Sequence, residues 1–324
     1  MKAAVYRKFG GPEVVHIEDV ARPEPKPNEV LIRVHASTVS IADYRSRSLD
    51  LPPGLGFFGP LALGVFGPRK RVLGMDIAGV VEATGANVTR FTVGDRVVGM
   101  LGSTFGGHAE YAVMAEDSTI AIAPSNMTLD EAVTIIFGGI PTLVYFNAVG
   151  VKPGYEVLVN GASGSTGTAA VQIAVALGAR VTGVCSAGNA ALVTSLGAAA
   201  VIDYKTKDFA AEIEKYDIVV DCVGNASFEL VQGAIKPGGA LLLIVAGLRG
   251  MLTAARNTRR SGKKVVMLTT VNHTAADMEF LVDLAEKGQL KPVIDRTYTL
   301  DEITAAHEYV GTWRKKGNLV LQLA

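Results

Sequence analysis

The chain has 324 residues, enough for two domains. Lys plus Arg number 31 and Asp plus Glu number 31, a zero net charge that points to neither nucleic acid nor an anionic membrane as a partner. Hydrophobic residues make up 49%, yet no apolar run approaches the roughly 20 residues of a span, and the N-terminal MKAAVYRKFG lacks an apolar core of signal-peptide length, so the expectation is a cytoplasmic protein with sizeable cores.

Residues 1 to about 125 are strand-rich. Lys2 to Arg7, Val14 to Asp19 and Glu29 to Val39 alternate or run apolar between proline and glycine punctuation. Met75 to Ala83, Asp95 to Met100 and His108 to Glu116 predict further strands, with turns at Gly85-Ala86-Asn87 and Val93-Gly94-Asp95, and the sum is a β-barrel-like domain. Leu51 to Arg71 stands apart: rich in Gly, Pro and Phe and without periodicity, it reads as a long apolar loop that meets a pocket, a partner or a lipid surface.

From about Thr128 helix and strand alternate. The predicted elements are a helix from Leu129 towards Ala148 and strands at Glu156, Arg180 to Cys185, Ala200 to Asp203, Asp217 to Val223 and Ala240 to Ala246. Between the strands come helices to Leu177, at Ala190 to Leu196, Asp208 to Lys215 and Ser227 to Ile235. This βαβ series implies a parallel sheet with right-handed crossovers. Lys263 to Val271 is a candidate sixth strand. Helices at Ala275 to Lys287 and Leu300 to Val310 and a strand at Leu319 to Leu323 read as a tail rejoining the first domain. The two cysteines, Cys185 and Cys222, end strands two spacings apart, about 10 Å, too far for a disulfide; they read as free buried thiols.

The stretch EVLVNGASGSTGTAAVQIAVALG from Glu156 organises this half. A buried strand runs into a turn with Gly161, Gly164 and Gly167, and a small-residue helix follows, ending at Gly178. Glycines let backbone approach a ligand, and a helix start offers free N–H groups to an anion such as a pyrophosphate. The pattern is A-x-x-G-x-x-G rather than G-x-G-x-x-G. No lysine follows Gly167, which argues against an ATP phosphate loop. A tight connection without ligand is the alternative.

Together MKAAVY, PNEVLIRV, LGMDIAGVVEATGANVTRFTVGDRVVG, GGHAEYAV, GASGSTG, DCVG, KPGG and KPVIDRTYTLDEITAAHE resemble the medium-chain dehydrogenase/reductase superfamily over nearly the whole chain. The resemblance implies an α/β architecture: a GroES-like β-barrel domain (residues 1–125 and 272–324) interrupted by a Rossmann doubly wound parallel sheet (residues 126–271), with the active site between them. Zinc alcohol dehydrogenases of the family carry Cys near Ser40, His-Glu near Met75-Asp76 and Cys near Phe137 or Gly138. Those ligands are missing here, so the resemblance is to the zinc-free branch, quinone oxidoreductase-like and enoyl reductase-like, with no metal expected.

Without zinc, reducing an activated acceptor is easier than oxidising a simple alcohol. The implied function is NAD(P)H-dependent hydride transfer to a quinone or α,β-unsaturated carbonyl. The alternatives are a non-catalytic NADPH-binding or interaction protein of the same fold and a metal-free alcohol dehydrogenase. Gly161, Ala162, Ser163, Gly164, Ser165, Thr166 and Gly167 are expected to cradle the pyrophosphate. No acid follows the second strand, where Ser186 and Asn189 stand, which favours NADPH over NADH, although relatives often have Lys at Asn189. By resemblance Tyr204 lies by the adenosine ribose and Thr142 holds the carboxamide, with a solvated loop and a helix-interior threonine as their alternatives; Val245, Ala246 and Gly247 meet the nicotinamide, and Val223 is a further cofactor-binding candidate. The basic run Asn257/Arg259/Arg260 reads as a loop reaching the phosphates or solvent. Ser40 and Tyr44 are the catalytic candidates. Tyr44 is the proton donor or acceptor-orienting group, with a family Tyr one position away; a packed aromatic is its alternative. Asp43 is read as structural and Asp76 as a buried remnant of the zinc branch. The five histidines form no local cluster and read as surface or core. The edge at Lys263 and the relatives' habit imply a homodimer. The loop from Leu51 to Arg71 is expected to help select the acceptor.

Overall fold

Alternating and continuous apolar runs sort the strands into two kinds of sheet. In the computed structural model, residues 1–268 and 272–323 are described. The first lobe contains β1 (Lys2–Tyr6), β2 (Val15–Asp19), β3 (Glu29–Thr38), α1 (Ile41–Ser48), α2 (Gly59–Leu63), β4 (Asp76–Thr84), β5 (Arg96–Met100), β6 (Tyr111–Ala115) and β7 (Ile120–Ile122). Then come α3 (Leu129–Val133), α4 (Ile136–Val149), β8 (Glu156–Asn160), α5 (Ser165–Ala176), β9 (Arg180–Cys185), α6 (Ala190–Ser195), β10 (Ala200–Asp203), β11 (Tyr216–Asp221), α7 (Phe228–Val231) and β12 (Ile235–Leu243). The chain closes with α8 (Leu248–Ser261), β13 (Lys264–Val266), α9 (Ala275–Glu286), β14 (Ile294–Thr299), α10 (Ile303–Val310) and β15 (Asn318–Gln322).

One sheet runs β14-β15-β3-β4-β5-β7, with β6 also paired to β3, and the tail strands β14 and β15 thus rejoin the N-terminal strands. Strand β3 is buried along most of its length because β4 and β6 flank it. The second sheet is parallel throughout, in the order β10-β9-β8-β11-β12-β13. That places the first strand, β8, centrally and makes its C-terminal end the point where strand order reverses, where ligands bind in open α/β sheets. The chain is therefore a GroES-like barrel domain joined to a Rossmann sheet. One apolar core joins them: Ala36, Ala78, Val98 and Met100 of the barrel sheet are continuous with α3 and α4 and with Val157 and Val159 of β8.

Several expectations change. Asp208 to Lys215 forms turns, not a helix: Asp208 Oδ1 accepts the Ala210 N–H at 2.9 Å, a local bond that competes with helix formation, and Ile213 has no core to face. Asn257, Arg259 and Arg260 lie on α8 rather than in a basic loop. The apolar loop contains the short α2 and leaves Phe57, Phe58 and Phe66 exposed. The sixth strand spans Lys264–Val266, and residues 269–271 of its expected range lie outside the described residues. Leu129–Val149 is long and apolar enough, by length and composition, to cross a bilayer, but 67% of its most apolar window is buried within the protein. Both cysteines are free.

Candidate active site

The site grows from the turn after β8. Gly161 has φ 82°, a left-handed backbone that side chains disfavour, and an added Cβ would lie 2.6 Å from Val223 Cγ2. At Gly167 a Cβ would overlap the Gly161 carbonyl oxygen, so glycine there lets α5 seat against the strand end. A Cβ on Gly164 would meet only that same oxygen, at 3.6 Å; the space above it is open. No side chain caps α5, so its first N–H groups and the positive end of its dipole face that space. The cradle fits a dinucleotide pyrophosphate. Ala162 is fully buried, its N–H donating to the Val184 carbonyl at 3.0 Å. Ser163 Oγ accepts from Asn189 Nδ2 at 3.0 Å, which ties the turn to the end of β9.

The tail closes this cradle from the barrel side. The Gly317 N–H donates to the Ser163 carbonyl at 2.8 Å, and Ser165 Oγ donates to the Gly317 carbonyl at 2.8 Å. Lys315 Nζ donates to that same carbonyl at 2.7 Å and also to Ser165 Oγ. Burial pulls the Lys315 ammonium down to about 8. It is the cation standing at the first residue of α5, and sequence reading missed it because the contact spans 150 residues.

Strand β9 ends at Cys185, followed by a half-buried Ser186 and no acid. The nearest carboxylate in the sheet is one strand over: Asp203, which ends β10 opposite Cys185 and whose Oδ1 accepts the Lys205 N–H at 3.1 Å. Tyr204 is exposed beside it.

At the other flank, Asp221 organises the loop after β11. Its buried carboxylate accepts from Asn160 Nδ2 (2.9 Å) and from the N–H groups of Val223, Gly224 and Ala226 (3.0, 3.0 and 2.9 Å). Val223 is thereby held half-exposed beside Gly161. Val245, Ala246 and Gly247 follow β12, and the Leu248 N–H donates to the Pro53 carbonyl at 2.9 Å. A Cβ on Gly247 would lie 2.7 Å from that carbonyl oxygen, so the start of the apolar loop is clasped to the start of α8. Pro53, Ala246 and Gly247 line a side cavity of about 210 Å³, and Val245 is shared between it and the main cleft.

The main cleft, about 560 Å³, lies between the lobes. Met75, Met100, Phe137, Pro141, Ile244 and Leu268 make it apolar; Thr166 and Cys222 connect it to the cradle. Burial pushes the Cys222 thiol well up, so it stays protonated. Tyr145 spans the floor, donating to the Leu243 carbonyl at 2.8 Å and accepting from the Leu268 N–H at 2.9 Å. Thr142, next to Pro141 on α4, is fully buried and does not line the cleft, so the carboxamide role expected of it has no direct contact behind it; its Oγ1 has no hydrogen-bond partner among the described residues. No residue of Leu51–Arg71 lines this cleft, so the acceptor-selecting role expected of that loop has no direct contact behind it.

The catalytic candidates are not placed as expected. Ser40 caps α1: its N–H and hydroxyl both donate to Asp43 Oδ2, at 2.8 and 2.5 Å, and it is buried. Asp43 is structural, its Oδ1 also accepting the Gly74 N–H at 2.8 Å. Tyr44 lines a different depression, with Gly10, His307 and Thr312, and donates to Asp50 Oδ2 at 2.9 Å. The cleft face of α1 carries Ile41, Ala42, Arg45 and Ser46 instead. His273, read from sequence as surface or core, also lines the cleft, with Nδ1 2.5 Å from Thr119 Oγ1; burial lowers its pKa and keeps it neutral.

The donor set does not fit a zinc centre. Ser40 is occupied by Asp43, and Met75 and Phe137 are cleft lining. Asp76 accepts from the Thr38 N–H and hydroxyl at 2.8 and 2.7 Å. Among the described residues no group of three His, Cys, Asp or Glu is placed to hold a metal ion.

Comparison with known proteins bears on the fold and the family. Residues 26–124 match the alcohol dehydrogenase GroES-like domain, and residues 196–321 match a family described as zinc-binding dehydrogenase. The quinone oxidoreductase of Sus scrofa is 32% identical over 327 residues, covering 95% of this chain and 93% of that protein. The human quinone oxidoreductase is 33% identical over 328 residues, covering 96% and 94%. Among solved structures, the quinone oxidoreductase from Coxiella burnetii superposes with TM-score 0.85 at 28% identity, covering 100% of this chain and 99% of that one. An NAD-dependent alcohol dehydrogenase superposes with TM-score 0.84 at 29% identity, covering 100% of each.

Proposed function

Because this chain belongs to the medium-chain dehydrogenase/reductase superfamily, its cleft is that of an oxidoreductase, and we propose that it transfers hydride from NADPH to a quinone or an α,β-unsaturated carbonyl without a metal. The observation that carries this reading is the junction at Thr166 and Cys222: the glycine cradle opens directly into an apolar cleft whose walls, among the described residues, hold no zinc donor set.

NADPH supplies the hydride when bound. The protein's share is positioning and exclusion of water. The α5 N-terminus and Lys315 hold the diphosphate. Val223 and Val245 pack the nicotinamide from the sheet ends. Met75, Phe137, Pro141 and Leu268 hold a flat conjugated acceptor against it. The absence of an acid after β9, with Ser186 there and Lys205 beyond β10, favours the 2′-phosphate of NADPH. We further propose a homodimer formed through the β13 edge and a cytoplasmic location.

A second reading, alcohol or aldehyde chemistry with NADH, has Asp203 beside β9 in its favour. One experiment separates them: chelator-treated protein is given NADPH or NADH with a panel of quinones, enones and aldehydes, and the reduced nicotinamide absorbance is followed. The proposal expects turnover with NADPH and a quinone or enone. Turnover with aldehydes and NADH alone contradicts it, as does activity that returns only with added zinc.

A further inference from the structure

We propose that Arg45 is a catalytic residue of this cleft: its guanidinium receives the oxyanion that forms on the acceptor carbonyl as hydride arrives. The inference rests on reading the cleft as a site of hydride transfer.

The placement follows from helix geometry. Successive residues of α1 are separated by about 100°, so Ile41, Ala42, Arg45 and Ser46 share the face that lines the cleft. Tyr44, Arg47 and Ser48 share the face that lines the depression on the other flank. Arg45 Nε is buried and has no hydrogen-bond partner among the described residues. A buried donor left unmatched is costly, and such donors normally find an acceptor. The guanidinium is steadied by Trp313, whose ring centroid lies 5.4 Å from Cζ.

Nothing lining the cleft competes for this charge. Among the described residues the lining contains no Asp or Glu, and His273 is the only other titratable nitrogen in it. Sharing the lining with Arg45 are Met75, Phe137, Pro141 and Leu268, with His273 and the Cys222 thiol both uncharged. Of the two carboxylates near it in sequence, Asp43 accepts from Ser40 and the Gly74 N–H, and Asp50, whose charge reaches Arg45 from outside the cleft lining, accepts from Tyr44 at 2.9 Å. A lone guanidinium in an apolar setting interacts strongly with an anion, because water does not screen it there.

The chemistry balances with the reductant already named. A C–H bond forms at the acceptor's conjugated carbon as the C–H bond at nicotinamide C4 breaks, so two electrons leave the cofactor. The acceptor π electrons shift, the carbonyl π pair settles on oxygen, and that enolate or hydroquinone oxygen becomes the anion facing Arg45. A proton from water later quenches it. The preferred acceptors are thus those whose reduction places negative charge on oxygen.

The test uses a redox-inert mimic of that anion, 4-nitrophenol, whose ionisation is read from its visible absorbance. In the NADP⁺-loaded wild-type protein the ionisation midpoint of the bound phenol should fall by about one pH unit or more, a tenfold preference for the phenolate. Arg45→Met should abolish the shift and Arg45→Lys keep most of it, with dinucleotide affinity and far-UV circular dichroism unchanged in both. In steady state, kcat with a benzoquinone acceptor should fall tenfold or more in Arg45→Met while KM moves less. An equal midpoint shift in wild type and Arg45→Met, or no binding of the phenolate to the wild type, overturns the proposal. A wild-type protein that turns over no acceptor contradicts the hydride-transfer reading itself; the phenol midpoint then decides separately whether Arg45 receives an oxyanion.

Discussion

Tyr44 and Arg45 are consecutive residues on α1 and face different cavities: the Tyr44 hydroxyl bonds Asp50 at 2.9 Å on one flank, while Arg45 enters the interdomain cleft on the other. Tyr44→Phe should therefore leave turnover with every acceptor within about twofold of wild type. It removes one partly exposed hydrogen bond, about 1 kcal/mol of stability, to be read from urea unfolding. A tenfold loss of kcat would return Tyr44 to the mechanism.

Two glycines of the cradle should respond in opposite ways. A Cβ at Gly167 overlaps the Gly161 carbonyl oxygen, so Gly167→Ala forces α5 off β8 and should destabilise by about 1–3 kcal/mol. A Cβ at Gly164 points into open space at ordinary φ, −82°. Gly164→Ala should keep the melting temperature and weaken NADPH binding, because the methyl occupies the room the diphosphate needs. Thermal melts with and without NADPH distinguish the two; equal loss of stability in both would contradict the assignment.

Lys315 links the tail to the cradle. Lys315→Met should weaken NADPH binding about tenfold or more, the size of a charge-assisted hydrogen bond, and flatten the salt dependence of the dissociation constant. Because burial holds its ammonium at about 8, wild-type affinity should also fall as pH rises through that value, and the variant should not show the step. Calorimetry across pH 6–10 in ~0.05 and ~0.3 M salt, spanning an about 2.4-fold change in screening length, checks both.

Asp76 sets a pH dependence of stability. Burial raises its carboxyl to about 7 despite the Thr38 hydrogen bonds, so the folded state holds a proton that the unfolded chain releases near the ordinary carboxyl value of 3.8. This contribution is complete below about pH 4 and is lost as pH rises to about 7. Asp76→Asn should remove that slope, and its stability relative to wild type should increase across the window. His307 acts in the opposite sense. Buried and without a hydrogen-bond partner among the described residues, it is held well below the usual histidine range, so it costs stability as pH falls below about 6.5. His307→Leu should lessen that acid loss in denaturant titrations at pH 5 and 7.

How legible the molecule was depends on what each feature asks of the sequence. The cradle is legible because only glycine satisfies Gly161 and Gly167, and the strand order follows from the βαβ rhythm around it. The absence of zinc donors at Ser40, Met75 and Phe137 is likewise a matter of residue type. Arg45 was missed because a one-position difference on a helix turns a side chain by about 100°, and the choice of Tyr44 followed residue chemistry rather than face. Lys315, His273 and Asp221 act through contacts distant in sequence or through loop backbone, which periodicity does not register. The helix expected at Asp208 failed to a local side-chain bond.

The account turns on metal-free hydride transfer into the cleft beside Thr166 and Cys222. The most direct measurement gives chelator-treated protein NADPH carrying deuterium at C4 together with a conjugated enone, and reads the product by mass spectrometry. The account predicts one deuterium at the product's β carbon, delivered at the same rate with or without added zinc. An unlabelled product, or no product until zinc is restored, would contradict it.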